Sequence, residues 1–332
     1  MSVFRRHILS LGLALFSGAS LAGESPVSLN AQPVTLCDPP QQCAQIGSLR
    51  ILGFLSIPPR SINGLRIGSL SGLAWDDDEE LLYALSDHGA LIALRPIFRN
   101  DRLVDVRFAH AVALIDPMTK KPVKWRRSDS EGLDVVNGRN GKRGDTELIV
   151  SFEREPRIAR YRPDGTFIAD VPLPEVLRDP KHYRGGNKML ESVCLHPREG
   201  VLTAPEEPLE NEPAPRLYRR DGASWRIPPG RGGIVALECL ADGNVLVLER
   251  DFDMTQLRTI ITLRRLNLQK DNLPNSLLTA DTVAAFDSTQ GLRLDNFEGF
   301  ARHRGNRFFL VSDENGVFLQ HTFLLYVEMV GH

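Results

Sequence analysis

Five times along the chain an acid or a serine is followed by a small residue and then an apolar one. A polar turn comes next, then an apolar run that ends on another acid. Ser71-Gly72-Leu73-Ala74-Trp75 leads to Leu82-Tyr83-Ala84-Leu85-Ser86-Asp87, and Glu131-Gly132-Leu133-Asp134-Val135 leads to Leu148-Ile149-Val150-Ser151-Phe152-Glu153. Glu191-Ser192-Val193-Cys194-Leu195 leads to Val201-Leu202-Thr203-Ala204-Pro205-Glu206. Glu238-Cys239-Leu240-Ala241 leads to Val245-Leu246-Val247-Leu248-Glu249, and Glu298-Gly299-Phe300-Ala301 leads to Phe308-Phe309-Leu310-Val311-Ser312-Asp313. The opening positions 71, 131, 191, 238 and 298 lie 60, 60, 47 and 60 residues apart. Short apolar runs joined by turns such as Asn140-Gly141 and Asp242-Gly243 read as antiparallel hairpins.

Most units continue into a third strand, as at Arg157 to Arg162, and a fourth, as at Thr166 to Leu173. Repeated units of four short antiparallel strands predict an all-β fold, a β-propeller of four-stranded blades. Helical candidates are brief, Pro174 to Arg178 among them. The fifth unit ends one strand short, at Thr322 to Met329, while Ser48 to Ile57 is a strand without a unit. That N-terminal strand is expected to complete the last blade and close the ring, hiding two sheet edges. The count is five blades, or six if Arg258 to Phe286 conceals a further one. The propeller domain is placed at residues 47–332, after an N-terminal surface segment at 23–46.

Residues 1–22 read as a signal peptide. Arg5 and Arg6 form the basic end, Ile8 to Leu21 the apolar stretch, and Ser20-Leu21-Ala22 the cleavage site. Export by the general or the twin-arginine route implies a periplasmic or secreted protein. No other stretch is apolar enough to suggest a membrane span. An oxidising compartment lets the four cysteines pair. Cys37 and Cys43 flank a short Pro-bearing loop that a bridge could close. Cys194 and Cys239 fall on innermost strands of neighbouring blades, where either a bridge or two buried thiols would fit.

The chain has 332 residues, 40 Lys and Arg against 42 Asp and Glu, and a formal charge of −2. That balance excludes nucleic acid as the partner, since phosphate binding needs a strong basic field. A small anionic substrate and a monomeric state are expected instead.

The opening acid starts the first strand of each unit and the closing acid ends the second. Antiparallel pairing brings both to one end of the ring, near the channel mouth. Glu131, Glu191, Glu238 and Glu298 form the opening set; Asp87, Glu153, Glu206, Glu249 and Asp313 form the closing set. Nine carboxylates around one opening cannot all stay ionised without cations. A hard cation bound through oxygens, Ca²⁺ first among them, is therefore expected on Asp87, Glu131, Glu153, Glu249, Glu298 and Asp313. Arg126, Arg154, Lys188, Arg250 and His182 should reach the same face and hold the substrate. Glu131, Glu191 and Glu298 are the candidate catalytic acids or bases. Trp75-Asp76-Asp77-Asp78-Glu79-Glu80 lacks the spacing and central Gly of a calcium loop and reads as a solvated hairpin tip. A nucleophile elbow, a P-loop, a dinucleotide fingerprint and a zinc helix are all missing from the sequence.

Asp129-Ser130-Glu131-Gly132-Leu133, Asn187-Lys188-Met189-Leu190-Glu191-Ser192, Leu246-Val247-Leu248-Glu249-Arg250-Asp251, Asn296-Phe297-Glu298-Gly299-Phe300 and Leu310-Val311-Ser312-Asp313-Glu314-Asn315 together resemble the phytase-like (esterase-like) β-propeller family of secreted bacterial proteins. The resemblance runs from about Gly47 to Glu328. It departs from the family pattern at Ser192, where Gly is usual, and at Glu206-Glu207-Pro208. It implies hydrolysis of phosphate or carboxylic esters, which the cation expected on the acid ring would assist. A non-catalytic periplasmic binding or scaffold propeller, with the acids and arginines as a clasp between blades, satisfies the same residues.

Overall fold

The computed structural model describes residues 27–124, 127–314 and 322–331. The expected signal peptide and Arg126 lie outside the described residues. Four-stranded antiparallel sheets repeat around a central axis, and there are five of them. The first blade runs Leu70–Asp76, Leu81–Ser86, Ala90–Arg99 and Arg102–Ala113. The second runs Ser130–Val136, Glu147–Phe152, Arg157–Tyr161 and Phe167–Val171, and the third Ser192–His196, Gly200–Ala204, Arg216–Arg219 and Ser224–Arg226. The fourth consists of Gly233–Cys239, Val245–Asp253, Arg258–Asn267 and Thr279–Asp287. Arg258 to Phe286 is thus the outer half of one blade and conceals no sixth.

Asn296–Arg302, Arg307–Asp313 and Thr322–Met329 begin the fifth blade, and Leu49–Ile57 completes it. The closing pair is antiparallel from Thr322↔Ile57 to Met329↔Leu49. First and last parts of the chain therefore share one sheet. Val27–Ser28 adds to the outer strand of the first blade, while Gln32–Pro33 and Gln45–Ile46 pair with Leu49–Ile57. These short additions cover strand edges that would otherwise offer unpaired backbone groups.

Both faces of each blade are buried against neighbours, so the second strands read as continuous apolar runs rather than alternating ones. Leu82 and Ala84 pack toward the fifth blade, Tyr83 and Leu85 toward the second. One apolar cluster fills each of the five interfaces between adjacent blades.

The glycine after the opening acid answers to packing at the axis. A Cβ at Gly72 would lie 2.5 Å from the Glu131 carbonyl oxygen, and one at Gly132 would lie 2.7 Å from the Val193 amide. Inner strands approach too closely there for a side chain. The third blade carries Ser192 at this position, whose hydroxyl donates to the Ala204 carbonyl at 3.1 Å.

Both disulfides are formed. Cys37–Cys43 closes its loop with Cα atoms 6.1 Å apart. Cys194–Cys239 joins the inner strands of the third and fourth blades with Cα atoms 5.5 Å apart. The hairpin at Trp75 to Glu80 is more than a solvated tip. Asp76 is buried, caps the turn through the amides of Asp78 and Glu79, and accepts the Thr146 hydroxyl at 2.5 Å.

Candidate active site at the channel mouth

A bulge near the start of the inner strand decides which side chains meet at the axis. Pairing passes from Leu70↔Ser86 to Gly72↔Leu85, from Phe297↔Ser312 to Gly299↔Val311, and from Ile234↔Glu249 to Ala236↔Leu248. The second blade shows the same irregularity between Ser130 and Leu133. The residues set in the bulges are Ser71, Glu131, Val235 and Glu298. Glu191 takes the corresponding place in the third blade, just ahead of Ser192↔Ala204. The closing position follows one residue past the bulge partner: Asp87, Glu153, Arg250 and Asp313, with Glu206 in the third blade.

The fourth blade therefore departs from the sequence pattern twice. Its inner position is Val235, three residues before Glu238, and its closing position is Arg250 rather than Glu249. Glu238 pairs with Leu246 near the far end of its strand. There it accepts the Arg302 amide at 2.8 Å and lines a separate cavity with Asp134. Glu249 points away from the mouth into a buried ion pair with Arg264, 2.6 Å apart, and is no candidate metal ligand.

Two triads of carboxylates remain. Asp129, Glu131 and Glu153 place one oxygen each within 4.8 Å of one another, and Glu153, Glu191 and Glu206 do the same. Glu131, Glu153, Glu191 and Glu206 are all buried. Among the described residues no ion pair includes Glu131, Glu153 or Glu191. Burial first, then the charges of Glu298, Glu153, Asp129 and Asp87, hold the Glu131 carboxyl well above its ordinary range. Glu191 is raised likewise, by burial and then by Glu131, Glu153 and Glu298. Burial pushes Glu153 up to about 7, although a hydrogen bond with Glu191 and the Met189 amide pull the other way. Hard oxygen donors this close, with negative charge that Arg154 on Asp129 and Arg250 near Glu206 offset only in part, could hold a cation.

Cations ring this core without entering it. Arg250 pairs with Glu298 and lies 3.6 Å from Glu206. Glu298 also accepts the Asn296 side-chain Nδ2–H at 2.7 Å and positions Arg250; it belongs to neither triad. Arg154 pairs with Asp129 at 2.5 Å and donates to Asn187 at 3.1 Å; Lys188 pairs with Glu207. A cleft of about 1010 Å³ opens beside them, lined among others by Asn187, Lys188, Glu206, Arg250, Phe252 and Asn296.

His182 is not among the cleft's lining residues; its Nδ1 lies 2.8 Å from the Val176 carbonyl oxygen. Asp87 sits 3.4 Å from His88. Asp87 and Asp313 hold equivalent positions in their blades, but neither joins a triad. Asp129, Glu207, Asn187 and Asn296 were not singled out by the repeat, because each lies just outside its opening or closing position. Glu314, next to Asp313, is fully buried and binds Arg66 at 2.9 Å and the Ser69 amide at 2.9 Å. It ties the fifth blade to the first.

Stability of the metal-free chain should fall as pH rises from 6.5 to 8.5. Glu153 (to about 7), Glu238 (to about 8), Glu131 and Glu191 have folded pKa values above the ordinary carboxyl range. The unfolded chain is already ionised at these sites, so the folded state binds more protons and loses stability as they leave. His110, His196 and His303 are lowered by burial and favour the fold as pH rises, but only up to about 6.5. A thermal melt in EDTA at pH 6.5 and 8.5 checks this, with a drop of several degrees expected. A higher melting temperature at pH 8.5 would show that these acids are not charged at strain.

The fold and the acidic mouth define a five-bladed propeller with a carboxylate centre on its axis. Residues 65–316 match the family model described as Phytase-like, esterase-like activity of phytase, and the chain belongs to that family. No curated protein matches the sequence. Solved structures similar to it include XC5397 from Xanthomonas campestris, a gluconolactonase. That structure has 14% identity and a TM-score of 0.39, with 92% of this chain and 98% of that one covered. The Myceliophteria thermophila Cps50 (Swd1) β-propeller domain has 12% identity and a TM-score of 0.37, covering 92% and 97%. The Dos1 propeller has 9% identity and a TM-score of 0.37, covering 87% and 78%.

Proposed function

We propose that the chain is an exported hydrolase of carboxylic or phosphate esters, assisted by a divalent cation held at the channel mouth. The two carboxylate triads, with no basic partner for Glu131, Glu153 or Glu191 among the described residues, carry this reading. Membership in a family named for esterase-like activity supports it. Asp129, Glu131, Glu153, Glu191 and Glu206 would hold the cation, and Ca²⁺ suits an all-oxygen donor set. When bound, the cation offsets their repulsion and polarises the ester oxygen.

The remaining work falls to the chain's own groups. Water attacks the acyl carbon or phosphorus while a carboxylate of the mouth, Glu153 or Glu191, takes its proton. The ester C–O or P–O bond breaks, and the proton passes to the departing alkoxide. Arg250, anchored by Glu298 and Glu206, faces the negative charge that develops on the ester oxygen. Lys188 and Asn187 line the entry and orient the substrate. Export agrees with two disulfides, which an oxidising compartment maintains. Among the described residues no helix is long and apolar enough to cross a membrane.

Turnover of p-nitrophenyl phosphate, phytate, p-nitrophenyl acetate and p-nitrophenyl butyrate, each with Ca²⁺ or EDTA, tests the proposal. At least one ester should be hydrolysed with Ca²⁺ and not with EDTA. No turnover of any of them in excess Ca²⁺ would favour a binding or scaffold propeller.

A further inference from the structure

One hairpin extends beyond the ring of blades. The second strand of the fourth blade runs Val245–Asp253, nine residues, where its counterparts in the first three blades have six, six and five. It passes the mouth position at Arg250 and continues through Asp251, Phe252 and Asp253 before turning. Strand alternation puts Phe252 on the same face as Arg250, two residues on, and Phe252 lines the cleft. Phe252 is 52% exposed; Met254 and Leu257 at the tip are each 77% exposed. They are three of the eight exposed large hydrophobic side chains among the described residues. Leu257 also holds a φ of 49°, a conformation that favours Gly or Asn over a branched apolar residue. Leu294 and Pro208 add apolar surface to the same cleft.

Of the cleft's cations, Arg184, Lys188 and Arg250, Lys188 and Arg250 are already paired with carboxylates. The side chains of the cleft therefore offer few free cations to a substrate with many phosphates.

We infer that Phe252, Leu294 and Pro208 form an apolar subsite in the cleft, so that the substrate is a carboxylic ester with an apolar acyl or aryl group. This rests on the hydrolase reading and narrows it. Burying each added methylene on this surface favours binding about three- to fourfold at most.

The probes are the p-nitrophenyl esters of acetate, butyrate and octanoate in Ca²⁺. With the native chain, kcat/KM should rise at least tenfold from acetate to octanoate. In Phe252→Ser the octanoate-to-acetate ratio should collapse toward one, and Phe252→Leu should restore most of it. A thermal melt checks that the variants are folded, which half-exposed Phe252 should permit. Turnover with no chain-length gain, or a gain that survives Phe252→Ser, would overturn the subsite while leaving the hydrolase reading intact. If no ester is hydrolysed, the hydrolase reading fails, and calorimetry with methyl octanoate against methyl acetate still tests the subsite. Tighter methyl octanoate binding that Phe252→Ser abolishes supports it; equal or no binding of the two esters overturns it.

Discussion

Glu153→Gln should abolish Ca²⁺ binding and lower ester turnover at least about a hundredfold, yet raise the melting temperature of the metal-free chain. Glu153 is the only residue shared by both triads. The amide keeps the shape and the oxygen that accepts the Met189 amide, 3.3 Å away. What it loses is a charge that burial and the Asp129 carboxylate oppose. A general base or an oxygen ligand to a cation commonly contributes factors of about 10² or more. The stabilising sign follows from the same repulsion, as at binding sites held at the expense of the fold. Calorimetric Ca²⁺ titration, kcat/KM and an EDTA melt at pH 8 read the three effects. A variant that melts many degrees lower but binds Ca²⁺ like the native chain would make Glu153 a clasp and sink the cation site.

The same contrast separates what was legible in the sequence from what was not. The ring of blades, its closure by the strand at Ser48 to Ile57 and the nearness of Cys194 to Cys239 follow from repeat spacing, which left a sixth blade and a pair of buried thiols open. Spacing reports which strands are equivalent, and equivalent strands must share an architecture. Facing is a finer property. In a strand a slip of one residue turns a side chain to the other side, and a bulge introduces that slip locally. The fourth repeat offers Glu238 and Glu249 to anyone matching acids to acids. The bulge between Ile234 and Ala236 instead presents Val235 and Arg250. The adjacent Glu249-Arg250 was the available signal, since only one of two neighbours can face the axis. Partners on third strands, such as Arg264, have no counterpart in the repeat. Which carboxylates are paired and which are bare therefore emerged only with the packing.

Glu249→Ala should cost about 3–5 kcal/mol, the range for removing one partner of a buried ion pair. Glu249 is 1% exposed and Arg264 is 7% exposed. One Glu249 oxygen meets the Arg264 guanidinium at 2.6 Å; the other accepts the Arg231 amide at 3.2 Å. Arg264 in turn donates to the Pro228 carbonyl at 3.0 Å. The pair thus fastens the second and third strands of the fourth blade to the loop arriving from the third blade. Truncation leaves a guanidinium buried with only a carbonyl for company, and it leaves the Arg231 amide without its acceptor. At about 2–4 °C per kcal/mol for a domain of this order, the melting temperature should fall by roughly 10 °C. Ca²⁺ affinity should hold, because Glu249 points away from both triads. The double variant Glu249→Leu/Arg264→Met should recover most of the loss, since apolar side chains of similar size leave no charge unpaired. If Glu249→Ala instead melts like the native chain and loses Ca²⁺, the carboxylate serves the mouth after all, and the one-residue offset of the fourth blade is wrong.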